Sequence, residues 1–152
     1  MQGIIKAVCI SEDKGTEKRP VPSAHLSAHH GLDGDAHAGP WHRQVSLLSY
    51  EKVEEFNRRG GCVTDGAFGE NLLVSGIDFR SLPVGTVLET PHTKLRLTQI
   101  GKECHTRCAI HRRVGMCIMP REGVFAEVLC GGDVAPGDVM TVTLPEEQEP
   151  TA

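Results

Sequence analysis

Aromatic residues are scarce in this 152-residue chain: one Trp, one Tyr and four Phe make up 4% of it. With so few rings to stack bases on, sequence-tolerant binding of single-stranded nucleic acid is disfavoured. Positive charge is not in excess either. Sixteen Lys and Arg against twenty Asp and Glu leave a net charge of −4, the wrong sign for a broad phosphate-binding surface. No apolar run reaches membrane-spanning length. Walker loops, dinucleotide fingerprints and Gly-x-Ser-x-Gly elbows are absent, which removes the commonest nucleotide and hydrolase chemistries. Neither nucleic acid nor membrane is an expected partner. The stretch Met1–Ile10 lacks a signal-peptide layout and reads as a first strand. A cytoplasmic location is therefore expected, with the six cysteines as reduced thiols and not a disulfide framework.

What remains is an ordinary globular composition, 39% hydrophobic and 24% charged, in a chain long enough for one core. Glycines recur at short intervals, as many short strands and tight turns require. Strands are predicted over 3–10, 43–49, 94–100, 124–129 and 139–144, with another after the turn at Gly69. In 94–100, Leu95, Leu97 and Gln99 alternate with Lys94, Arg96 and Thr98. A surface helix over 50–59 carries Val53 and Phe56 as its apolar stripe and stops at Gly60-Gly61. Pro and Gly precede two similar strands, in Leu82-Pro-Val-Gly and Val134-Ala-Pro-Gly, and suit hairpin entries of a barrel. Residues 11–22 read as a solvated loop, and 146–152 as an acidic flexible tail. The expected fold is a single domain over 1–145, mostly β and centred on a β-barrel, with a few short helices.

Three cysteines fall close together, in Gly101-Lys-Glu-Cys104-His105-Thr-Arg-Cys108-Ala-Ile and in Gly115-Met-Cys117. His111, Arg112, Arg113 and Arg121 surround them. A thiol acts as nucleophile or metal ligand only as thiolate, and neighbouring cations favour that form. The segment suits sulfur chemistry or anion binding. Zinc on Cys104, Cys108 and Cys117 is an alternative, although structural zinc sites usually repeat their short Cys pairs. Inert packed thiols are another. Cys9 and Cys130 lie in strand patterns and are expected in the core, while Cys62 beside Gly60-Gly61 is a loop thiol.

Upstream, His30-Gly-Leu-Asp33-Gly-Asp35-Ala-His37 holds acids and imidazoles, but its spacing is not that of an EF-hand. A Gly/Asp turn explains it equally well. Trp41-His42-Arg43 then supplies a ring and two potential cations, and Arg43 has the fork to hold an anion bidentately. In Gly69-Glu70-Asn71, a turn alone explains Gly and Asn, and Glu70 is unusual only if it points inward.

Taken in order, the His30–Gly39 run, Arg43-Gln-Val-Ser-Leu-Leu, Phe68-Gly69-Glu70-Asn71-Leu, the late cysteines and Val134-Ala-Pro-Gly-Asp-Val resemble the MOSC domain. This module occurs at the C-terminus of molybdenum-cofactor sulfurases and as small stand-alone proteins. The resemblance runs from the first strand to about Leu144. It implies a cysteine that carries sulfur or ligates molybdenum, best matched by Cys108, with Cys104 the alternative. It further implies molybdenum cofactor as the ligand, with His37, Arg43, Glu70, Asn71, Arg112 and Arg121 around it. Glu70 and Asn71 would contact the pterin or fix the loop beneath it. Sulfur would come from a cysteine desulfurase, or the chain would serve molybdoenzyme maturation proteins. No pyridoxal phosphate is expected, because the large domain that binds it in the sulfurases is missing. A second reading is a molybdenum-dependent reductase of N-hydroxylated compounds that draws on an external electron donor. The extra thiols, Cys104 and Cys117, depart from the single-cysteine pattern.

Overall fold

The computed structural model describes residues 1–13, 17–101 and 119–148. Its strands are β1 (Gln2–Ile10), β2 (Arg19–Val21), β3 (Ala24–Ser27), β4 (Gly31–Leu32), β5 (Val45–Ser49), β6 (Leu72–Ser75), β7 (Val87–Glu89), β8 (Lys94–Ile100), β9 (Val124–Cys130), β10 (Gly132–Val134) and β11 (Val139–Thr143). Among the described residues two α-helices accompany them, α1 (Tyr50–Arg58) and the single turn α2 (Met119–Glu122). The strands pair in the order β11-β7-β8-β9-β5-β6-β1, and β1 returns to β11, so seven strands close a barrel. Closure removes the unpaired edges that an open sheet would expose. β2 extends β1 on the outside, and β10-β3-β4 form a small second sheet.

Among the described residues β5 and β6 make the one parallel pairing of this barrel. A parallel pair needs a crossover, and α1 supplies it. The helix follows from its sequence: Val53 is buried, Phe56 half-buried, and charged residues cover the rest.

Alternation along the strands sorts side chains into two cores. Inside the barrel lie Ile5, Val8, Val45, Leu47, Leu95, Leu97, Val124, Ala126 and Val128, with Leu26 and Leu32 of the small sheet among them. Outside, beneath α1, lie Ala7, Cys9, Leu48, Val53, Phe68, Leu73 and Phe125. Phe56 meets Phe68 edge to face at 5.1 Å, an arrangement worth about 0.5–1.5 kcal/mol beyond its buried area.

Two irregularities decide which face a residue occupies. A register shift between Ile5 and Ala7 in β1 puts Cys9 in the outer core. Another between Leu97 and Gln99 sets Gln99 opposite Phe125, whose ring belongs to that outer core. The Leu95-Leu97-Gln99 alternation places Gln99 with the interior leucines. The extra residue of a bulge breaks that alternation.

The structure corrects two further expectations, while of the tail expected over 146–152, residues 149–152 lie outside the described residues. Residues 11–22 are not simply a solvated loop, since β2 pairs with β1 and Lys18 is buried. Cys130, expected in the core, is exposed at the end of β9. At the other end of the chain, Pro145–Glu147 form a 3-10 turn, and Gln148 Nε2 donates to the Gly85 carbonyl at 2.7 Å. No helix among the described residues is long and apolar enough to cross a membrane.

Candidate functional site

The late cysteine segment lies outside the described residues, so Cys104, Cys108, Cys117, His105 and Arg112 have no structural account. Its flanks do. Gly101 follows β8 and donates its amide N–H to the Gly123 carbonyl at 2.7 Å. The segment is thus entered beside the start of β9, and α2 leads from it back to Gly123. Gln99, two residues before Gly101, lies on the barrel's outer side.

Gln99 is the centre of a polar cluster. Its Oε1 accepts from Arg43 Nε at 3.1 Å and from His42 Nε2 at 2.9 Å, while its Nε2 donates to the Gly101 carbonyl at 2.8 Å. The guanidinium of Arg43 lies 5.2 Å from the centre of the Phe125 ring, a cation–π distance. Thr98 Oγ1 lies within hydrogen-bond reach of the His42 and Phe125 carbonyls and donates its one proton to either. The indole of Trp41 then continues the surface. It sits edge-on to His42 at 6.0 Å and stacks on His37 at 6.5 Å. Trp41 Nε1 donates to the His37 carbonyl at 2.7 Å, which fixes the loop's path. Among the described residues Arg43 has no carboxylate partner; the neighbouring acid of β9, Glu127, is occupied by Arg96. A half-buried guanidinium whose Nη groups have no partner among the described residues can take an oxyanion in bidentate fashion.

Beneath this surface is a buried polar layer. Lys18 Nζ and Asp35 Oδ1 meet at 2.8 Å with neither side chain exposed. Asp35 also accepts from the Ser11 amide at 3.0 Å and the His37 amide at 3.0 Å. Burial pushes the Asp35 carboxyl up, but the Lys18 ammonium and the amide donors outweigh it and hold it below the usual range. Burial also keeps Lys18 below its ordinary value, with Asp35 pulling the other way. The pair ties the loop carrying His37 to the end of β1.

Glu70 does point inward. It is fully buried, and its two oxygens accept from the amides of Gly66 at 2.9 Å and Phe68 at 3.1 Å. Burial pushes its carboxyl up to about 7 in spite of those donors, with Asp65 nearby adding to the rise. The loop it holds needs glycine: Gly66 has φ +90°, and a Cβ there would lie 2.1 Å from the Lys18 carbonyl. Asn71 is equally buried. Its Oδ1 accepts from Ser46 N at 2.9 Å and Ser46 Oγ at 3.1 Å, and its Nδ2 donates to the Cys9 carbonyl at 3.0 Å. Neither side chain presents surface to a ligand, so of the two expected roles, contact with a pterin or fixing the loop beneath it, the geometry fits the second. They hold the loop and join β1, β5 and β6. Burial, with the Glu70 and Asp65 charges adding to it, pushes the neighbouring Cys9 thiol far up and keeps it protonated.

Asp35 is likewise a staple and not a metal ligand. The described residues hold no group of three or more His, Cys, Asp or Glu able to bind a metal ion. Asp33 is exposed and accepts from Ser27 Oγ at 2.7 Å. Arg121 is exposed on α2, beside Glu122, and its carbonyl accepts from Arg80. It shares no partner with Arg43. Of the expected ligand residues, the structure brings His37 and Arg43 to one surface. Gln99 and Lys18 were missed. A Gln on the apolar side of an alternating strand was the available signal for the first, and nothing local marked the second.

The MOSC domain profile matches residues 33–141, most of the chain. The chain belongs to the MOSC domain family. Solved structures agree on the fold of this MOSC protein. The YuaD protein of Bacillus subtilis superposes with a TM-score of 0.77 at 19% identity, covering 93% of this chain and 96% of its own. YiiM from Escherichia coli gives 0.67 at 17% identity, covering 94% of this chain and 70% of its own. YiiM from Geobacillus stearothermophilus gives 0.64 at 19%, covering 93% and 73%. No curated protein matches the sequence.

Proposed function

We propose that this MOSC protein is a sulfur-carrier or molybdenum-cofactor-binding domain, with the Arg43 surface holding an anionic group of the ligand and Cys108 as its thiolate. The observation that carries this reading is the guanidinium of Arg43, without a carboxylate partner among the described residues and held by Gln99 two residues before the segment of thiols begins. The family's association with molybdenum cofactor supports it, and the donor set fits the anionic part of such a ligand. Arg43 donates to a phosphate or oxyanion, and the His37–Trp41 stack offers an apolar wall beside it. When bound, the cofactor would supply the redox chemistry. Glu70, Asn71 and the Lys18–Asp35 pair keep the supporting loops in place.

As a carrier, Cys108 thiolate attacks the outer sulfur of a persulfide on a cysteine desulfurase. An S–S bond forms at Cys108, the donor's S–S bond breaks, and the donor cysteine leaves as thiolate. Arg107 and His111, close to Cys108 in the sequence, are cations of the kind that favour the thiolate form. The test is intact mass after incubation with a desulfurase and cysteine, run beside Cys108→Ala. The expected result is a gain of one sulfur atom that is absent in the variant and reversed by reductant. No gain, or a gain that survives the substitution, overturns the carrier role of Cys108. Molybdenum content of the purified protein reads the cofactor arm separately.

A further inference from the structure

We propose that Gln99 is a positioning residue of an anion seat, a neutral hub that orients Arg43 and His42 without cancelling the Arg43 charge. The inference rests on the reading of the Arg43 surface given above and adds to it the residue that keeps the seat cationic. The ligand class is a tetrahedral oxyanion, either a phosphate monoester or the free ion.

The geometry admits only one orientation of the Gln99 amide. Oε1 faces the Nε–H of Arg43 and lies 2.9 Å from His42 Nε2, and Nε2 faces the Gly101 carbonyl. Turning the amide over would set its NH2 against the Arg43 donor and its oxygen against the Gly101 carbonyl. Since Oε1 only accepts, His42 must carry its proton on Nε2. The Nε of Arg43 is thereby fixed while Nη1 and Nη2 have no partner among the described residues, and the Phe125 ring supports the guanidinium from its face. A carboxylate at the same place would accept the same two bonds. It would also form an ion pair with Arg43 and remove the field that an anion needs. An amide is thus the side chain that gives orientation without neutralisation. The strand bulge between Leu97 and Gln99 is what brings it opposite Phe125. Gly101, the residue that Gln99 anchors, precedes the thiol segment, so the same amide also sets where that segment begins.

The experiment titrates the full chain with inorganic phosphate, with molybdate and with phenyl phosphate, by calorimetry or by chemical-shift change of the His42 ring. Gln99→Glu and Arg43→Gln are run alongside, with thermal unfolding of each. Wild-type protein is expected to bind phosphate. Gln99→Glu is expected to lose more than tenfold in affinity, because the new carboxylate pairs with Arg43, while the lost donor to the Gly101 carbonyl is read separately in the thermal unfolding. A merely structural Gln99 would predict unchanged binding, since shape and acceptor are preserved. Arg43→Gln is expected to abolish binding. Equal affinity for phosphate and phenyl phosphate assigns the seat to the terminal phosphate of a larger ligand, and exclusion of the ester assigns it to a free ion. No binding of any anion by the wild type, or wild-type affinity in Gln99→Glu, overturns the proposal. If Gln99→Glu fails to fold, Gln99→Met decides the matter. It keeps the charge and removes the hub, and affinity equal to wild type again overturns the positioning role. Sulfur loading is a separate measurement. A protein that loads sulfur but binds no anion sinks the seat alone, and one that binds anions but loads no sulfur sinks the carrier alone.

Discussion

Substituting Asp35 by Asn tests the idea that the ligand-bearing loop is held by a buried charge. The side chain is fully enclosed against Lys18, with Nζ–Oδ1 at 2.8 Å. Asn keeps the size but removes the charge, leaving the Lys18 ammonium buried without a counter-ion. Removing one partner of a buried pair costs about 3–5 kcal/mol. The amides of Ser11 and His37 aggravate it, because both carboxylate oxygens are in use and an amide offers one. For a domain of this size each kcal/mol moves Tm by about 2–4 °C, so a fall of roughly 6–20 °C is expected. Lys18→Met should cost less, since Asp35 retains its two amide donors. The double variant should cost less than the sum of the two. The pH dependence has a definite sign. The folded carboxyl titrates below its unfolded value, so the unfolded chain binds more protons in acid. The contribution of Asp35 is present above the unfolded carboxylate pKa, about 3.9, and is lost as pH falls through the folded value. Urea unfolding of wild type and Asp35→Asn should therefore converge in acid. A loss under about 1 kcal/mol at pH 7, or strictly additive single variants, would refute the staple.

Glu70 has the opposite sign: its carboxyl is raised to about 7, so its contribution is present in mild acid and lost as pH rises through that value. Wild-type stability should decline between pH 5 and pH 8, while Glu70→Gln should be flat over that window in urea titrations. Asn71→Ala should cost about 2–5 kcal/mol, because the Ser46 amide and the Cys9 carbonyl are left buried without that partner; a change within experimental error would sink its role as a strand joint. Iodoacetamide labelling followed by peptide mapping should modify Cys62 and Cys130 in the native protein and spare Cys9, which reacts only after denaturation.

Much of the fold was legible because barrel strands are written as short alternating runs between Gly and Pro turns. The strand over 94–100 has the predicted bounds, and the helix after Ser49 ends next to Gly60-Gly61 as its capping pattern implies. The two Pro-Gly entries lead into β7 and β11, which pair with each other. Burial was less legible where a strand outruns its cover, as at Cys130. The roles of charged residues were least legible. Asp35, Glu70 and Asn71 look like ligand residues in one dimension, since acids and amides beside glycines serve turns, metals and cofactors alike. Their burial, with every oxygen turned toward an amide or ammonium of the chain, makes them structural.

By itself the sequence determined the periodicity of the strands, the barrel class, the family and the clustering of thiols with cations, all of which depend on local spacing. Tertiary structure alone decided that Lys18 and Asp35 neutralise each other, 17 residues apart, and that Gln99 meets Arg43, 56 residues apart. Neither meeting has a local signature. The first follows from how two loops close over the outer core. The second follows from a single bulge, which turns one side chain from the face its neighbours share to the face where it holds an arginine.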